Sequence, residues 1–86
     1  MKDISFDRLQ ARLDEEKYPS PFVFKFIAPL ERVNDVIKIF NPSPVTTKSS
    51  RNGNYISVTA ELEMHSSSEI ISIYRAASAI DGVILL

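Results

Sequence analysis

The 86-residue chain has no cysteine, no tryptophan, two glycines, one histidine and almost no net charge. Without cysteine there is no disulfide framework and no thiolate metal site, so packing alone must hold the fold. Gly53 and Gly82 are too few for the glycine-rich loops that cradle phosphate. A formal charge of −1, from 10 basic and 11 acidic side chains, is not that of a generic polyanion binder. The longest apolar runs, residues 26–30 and 83–86, fall far short of the ~20 residues that span a bilayer. The start, Met1-Lys2-Asp3-Ile4-Ser5-Phe6-Asp7, mixes charges and lacks the apolar run of a secretory signal. The expected compartment is the cytoplasm, with no membrane segment.

What is present is the make-up of one small globular domain, 44% apolar and 24% charged. Phe6, Leu9 and Leu13 recur at helical spacing, predicting an amphipathic helix over residues 5–17. Tyr18-Pro19-Ser20-Pro21 stops it. The division expected is a helical extension, 1–17, and a single domain, 18–86. Residues 22–27 alternate three phenylalanines with Val23, Lys25 and Ile27, the pattern of a strand with one aromatic face. Leu30, Val33, Val36, Ile37 and Phe40 follow a helical period, ended by Asn41-Pro42-Ser43-Pro44.

Residues 45–64 read as a hairpin. Asn52-Gly53 suits a two-residue type I′ turn, in which both residues take positive φ. That tip pairs Ser50 with Tyr55, Lys48 with Ser57 and Thr46 with Thr59, and splits the returning strand. Ile56, Val58, Ala60, Leu62 and Met64 share one face, Tyr55, Ser57, Thr59, Glu61 and Glu63 the other. Ser66 and Glu69 form a capping-box pattern before a helix whose buried stripe is Ile70, Ile73, Ala77 and Ile80, widened by Tyr74. Gly82 is placed as its C′ residue, and 83–86 as a last short strand.

The order strand, helix, strand, strand, helix, strand predicts an α+β, ferredoxin-like βαββαβ sandwich. Two helices cover one face of a four-stranded antiparallel sheet, with the first and third strands central. The other face is polar beneath the hairpin and apolar beneath the outer strands. Its apolar residues are Val23 and Ile27 with either Ile84 and Leu86 or Val83 and Leu85. An apolar strip on so small a protein needs a cover. The N-terminal helix folding back and a second copy of the chain are both expected to contribute. Val23, Ile27, Ile84 and Leu86 are the candidate self-association residues.

Several chemistries lack their residues. The loop Ile27-Ala28-Pro29-Leu30 has neither the cysteine pair of a heavy-metal carrier nor the glycine-rich, arginine-bearing loop of an acylphosphatase. His65 has no histidine, cysteine or carboxylate pair at ligand spacing and reads as a solvated residue before a helix cap. Ser66, Ser67 and Ser68 are explained by capping, with no base near in sequence. Glu61 and Glu63 read as a solubilising edge. No catalytic, metal or cofactor site emerges, and the expectation is a protein without enzymatic activity. The hairpin end is locally basic, through Lys38, Lys48 and Arg51. Lys48, Ser50, Arg51, Tyr55 and Ser57 are the candidate ligand or partner contacts, although Lys48 and Arg51 also read as edge charges that block aggregation. RNA binding through Lys48, Arg51 and Tyr55 is the alternative. It suffers from having one outward aromatic on the central strands and from Glu61 and Glu63 nearby.

The hairpin stretch Lys48-Ser49-Ser50-Arg51-Asn52-Gly53-Asn54-Tyr55-Ile56-Ser57-Val58 resembles the K-S-S-x-x-G-x-Y-x-S-V stretch of the YbeD-like family of small bacterial proteins of unknown function. Tyr18-Pro19-Ser20-Pro21-Phe22, Ile73-Tyr74 and Asp81-Gly82-Val83 also fit that family, so the likeness spans residues 18–86. The resemblance implies a ferredoxin-like fold similar to the ACT regulatory domains, which bind small metabolites at subunit interfaces. ACT domains tend to hold ligand at a glycine in the first strand–helix loop, where this chain has Ala28-Pro29. The function expected is a regulatory or interaction module for a small metabolite or a protein partner, with homodimerisation through the open sheet face.

Overall fold

The three phenylalanines of residues 22–26 dictate the architecture, because strand alternation sends all their rings to one side. A computed structural model describes residues 6–86 and forms that strand as β1 (Ser20–Pro29). Phe24 and Phe26 are completely enclosed, and Phe22 packs against them. The Phe24 ring lies 4.8 Å from Phe22, 5.6 Å from Phe40 and 5.6 Å from Tyr74, forming the centre of the core.

After β1 the chain makes a 3₁₀ turn, Leu30–Arg32, and then helix α2, Val33–Phe40. Val36 and Phe40 are buried, as the helical period requires. Leu30 departs from it, being 56% exposed. The tighter 3₁₀ turn rotates it off the α-helical stripe, and its N–H donates to Asn54 O at 2.9 Å.

Strands β2 (Thr46–Ser49) and β3 (Tyr55–Met64) pair in the expected register, with Thr46 opposite Thr59 and Lys48 opposite Ser57. The tip is different. Asn52 keeps a negative φ and only Gly53 is positive, at +74°. The Gly53 N–H donates to Ser50 O (3.0 Å), so a wider loop over 51–54 replaces the type I′ turn. The register survives because the Ser50 N–H still reaches Tyr55 O at 2.8 Å.

Helix α3, Ser67–Ser78, begins at Ser66, whose Oγ accepts the Glu69 N–H at 3.2 Å. The Glu69 carboxylate reaches back to the His65 N–H (3.1 Å) and closes the box one residue early. Ile70, Ile71, Tyr74 and Ala77 are buried, whereas Ile73 and Ile80 are only partly so. The stripe turns toward Ile71 because helix α1 (Asp7–Leu13) lies on the 67/71/74 side of α3. There Phe6 sits 6.0 Å from the Tyr74 ring, and Ser67 Oγ donates to an Asp14 carboxylate oxygen.

The N-terminal helix therefore does not cover the open face of the sheet. It joins the helix layer, where Phe6 and Leu13 find the aromatic flank of the core. The Tyr18 hydroxyl bonds to Leu13 O at 2.8 Å and holds the connection. The helix is also shorter than 5–17, and Ser5 lies outside the described residues.

Gly82 is not the C′ residue of α3, which ends with Ala79 as C-cap. It belongs instead to a following turn in which the Val83 N–H donates to Ile80 O at 3.3 Å. Strand β4 is Ile84–Leu85, shorter than 83–86. The sheet order β2-β3-β1-β4 places β1 and β3 in the centre with antiparallel neighbours. This is the ferredoxin-like arrangement, with one face buried by helices and the other open.

Candidate binding surface on the open sheet face

Strand alternation and register build this surface row by row. Lys48, Ser57, Ile27 and Ile84 are successive cross-strand partners, and so share one row. Thr46, Thr59 and Lys25 form the next, beside Leu86, whose N–H donates to Lys25 O at 3.0 Å. Glu61 pairs with Val23, and Glu63 with Pro21. The pairing of Ile84 with Ile27 selects Ile84 and Leu86, rather than Val83 and Leu85, as the outward pair. Val23, Ile84 and Leu86 are 54%, 50% and 59% exposed, and Ile27 is half-buried between them.

The charges on this face segregate. Lys48 and Lys25 occupy the half nearer the hairpin tip, Glu61 and Glu63 the far half. Lys25, Lys48 and Arg51 make no ion pair among the described residues. Lys25 was not conspicuous in the sequence, being one charge in an alternating strand. Its position between Val23 and Ile27 puts a cation in the middle of the apolar strip.

Four of the five hairpin candidates come together. Lys48, Ser50, Tyr55 and Ser57, with Ile27 and Ser49, line a shallow hollow of about 190 Å³. The Tyr55 N–H donates to Ser50 Oγ at 3.2 Å, and Ser57 Oγ donates to Lys48 O at 3.4 Å. Both hydroxyls thus already brace the hairpin. Arg51 stands outside the hollow, exposed in the loop. On the other side of Tyr55 a broader hollow of about 740 Å³ is lined by Pro29, Leu30, Glu31, Asn54 and Tyr55. Leu30 is the residue there that periodicity misplaced. Its spacing to Val33 fits a 3₁₀ turn as well as an α-helix, and Pro29 just before it was the available signal.

His65 is also less solitary than its sequence surroundings imply. Its Nε2 is 3.8 Å from Glu63 Oε1 and its Nδ1 3.7 Å from Glu69 Oε1, all three side chains being well exposed. Among the described residues no group of three His, Cys, Asp or Glu side chains could hold a metal ion, and no helix is long and apolar enough to cross a membrane. Burial raises the Tyr74 phenol above its ordinary pKa. Desolvation, followed by the Glu16 and Asp14 carboxylates, raises that of Tyr18. Both phenols lie beside α1, away from the open face.

No curated protein and no solved structure matches the chain. A family model described as "Protein of unknown function (DUF493)" matches residues 14–86. The match takes in the whole sheet, α2, α3 and Asp14, and leaves out α1. The chain belongs to the DUF493 family, whose function is unknown.

Proposed function

We propose that this chain is a non-enzymatic interaction module that binds a protein partner on the open face of its sheet. One observation carries the reading: among the described residues all three helices lie on the same side, leaving Val23, Ile27, Ile84 and Leu86 uncovered on the other. Exposed apolar residues grouped in this way on a small domain mark a contact surface. The YbeD-like and ACT-like resemblance fits a regulatory role of this kind. A small metabolite is the weaker occupant, since both hollows beside Tyr55 are shallow. RNA has less support still, because Phe22, Phe24 and Phe26 all face the core and only Tyr55 offers a ring for stacking.

The test compares capture by the wild-type chain with capture by an Ile84→Glu variant, whose exposed position leaves folding intact. A partner lost on the substitution supports the open-face reading. A partner set unchanged by it contradicts that reading. A thermal-shift screen against amino acids and nucleotides runs alongside, because a ligand at about 100 times its dissociation constant adds about 2.7 kcal/mol. Such a shift retained by Ile84→Glu places the binding function elsewhere.

A further inference from the structure

The open face is self-complementary, and we infer that its occupant is a second copy of this chain, docked face to face about a two-fold axis running across the strands. This rests on the open-face reading and names its partner. Along the strand direction the face is basic at one end, through Lys48 and Lys25, and acidic at the other, through Glu61 and Glu63. A two-fold axis across the strands reverses that direction in the second copy. Each basic end then lies over an acidic end, Lys25 close to the partner copy's Glu61 and Lys48 close to its Glu63. A copy stacked with its strands in the same direction would set like charges together, which the segregation disfavours.

The apolar residues agree with this. In that register the β1 strips overlap in part, Val23 of each copy lying over the partner copy's Lys25. The aliphatic stem of Lys25 can lie along this strip while its ammonium group reaches the carboxylate opposite.

The size of the face sets the strength. Two central strands of ten residues and edge strands of four and two, rising about 3.3 Å per residue and about 4.8 Å apart, give a footprint of about 400 Å² per copy. Twice that, about 800 Å², falls below the roughly 1,200 Å² at which stable specific interfaces begin. The dimer is accordingly reversible and concentration-dependent, and because ion pairs guide it, added salt weakens it.

Sedimentation equilibrium of the full chain over a protein range of about 5 to 500 µM tests the proposal, at low and at high salt. Expected is a monomer–dimer equilibrium weakened by salt. Each double charge reversal, Lys25→Glu with Lys48→Glu or Glu61→Lys with Glu63→Lys, weakens self-association at least about tenfold. An equimolar mixture of the two variants recovers a heterodimer. All four positions are exposed, and circular dichroism confirms that each variant folds. A wild type that stays monomeric overturns the second-copy proposal alone, since capture with Ile84→Glu judges the open-face reading separately. A dimer indifferent to the charge reversals and to Ile84→Glu also overturns the second-copy proposal, and the capture experiment still judges the open-face reading.

Discussion

Gly82 and Pro29 touch where the turn before β4 crosses the end of β1: a Cβ added to Gly82 would lie 2.8 Å from Pro29 Cγ. Gly82 also holds a φ of +80°, in the left-handed region that side chains avoid. Gly82→Ala should therefore lower stability by about 2–3 kcal/mol, read from the urea midpoint. Gly53 has a similar φ, +74°, but open space around it. Gly53→Ala should cost about 1 kcal/mol, and Gly53→Asn less. Equal losses at the two glycines would show that Pro29 is not the obstacle.

Neighbouring residues of β1 should behave oppositely. Phe24 is fully buried among aromatic rings, and Phe24→Ala should cost about 3–5 kcal/mol. Val23, pointing the other way, should cost under about 0.5 kcal/mol on truncation to Ala in the monomer. Thermal melts of the two variants at low protein concentration check this.

Helix α1 is tied to the domain by Ser67 and Asp14, and by Phe6 under Arg75, whose guanidinium carbon lies 5.5 Å from the ring centroid. Ser67→Ala should weaken the attachment by about 1 kcal/mol. Hydrogen exchange should then quicken at the amides of Gln10 and Leu13 while those of Val58 and Ala60 stay protected. Equal acceleration in β3 would mean that α1 and the sheet open together.

Alkaline pH offers a separate check. Burial raises the Tyr74 pKa, so the folded state holds that proton longer than the unfolded chain does. This stabilisation is complete below the unfolded value of about 10 and is lost as pH rises through the folded pKa. Stability should fall above about pH 10, and less steeply in Tyr74→Phe. Urea midpoints followed from neutral to alkaline pH give the comparison, and identical slopes would contradict it.

Where a pattern is local and repeated, sequence and structure agree closely. The alternation of Phe22, Phe24 and Phe26, and of Ile56, Val58 and Ala60, placed the buried face and hence the sheet order. Features set by contacts between distant segments were not legible. Leu30 left its stripe for a 3₁₀ turn tied to Asn54, Ile71 rather than Ile73 is buried on the side of α3 where Ser67 and Tyr74 meet the N-terminal segment, and Gly82 serves a turn against Pro29. The hairpin register survived a wrong turn type because Ser50 and Tyr55 pair in either geometry. On the candidate surface, Val23 and Ile27 followed from strand parity, whereas the choice of Ile84 and Leu86 over Val83 and Leu85 needed the pairing of Ile84 with Ile27. The central place of Lys25 and the isolation of Arg51 needed the cross-strand rows and the loop path.

The open face is most directly tested by the methyl NMR signals of the chain as it takes up a binder, either an unlabelled second copy or a protein recovered by capture. Binding at that face predicts shifts at Val23, Ile27, Ile84 and Leu86, with Leu9 and Ile73 beside the helices unmoved. Shifts at Leu9 and Ile73, with the four open-face residues unchanged, would contradict it.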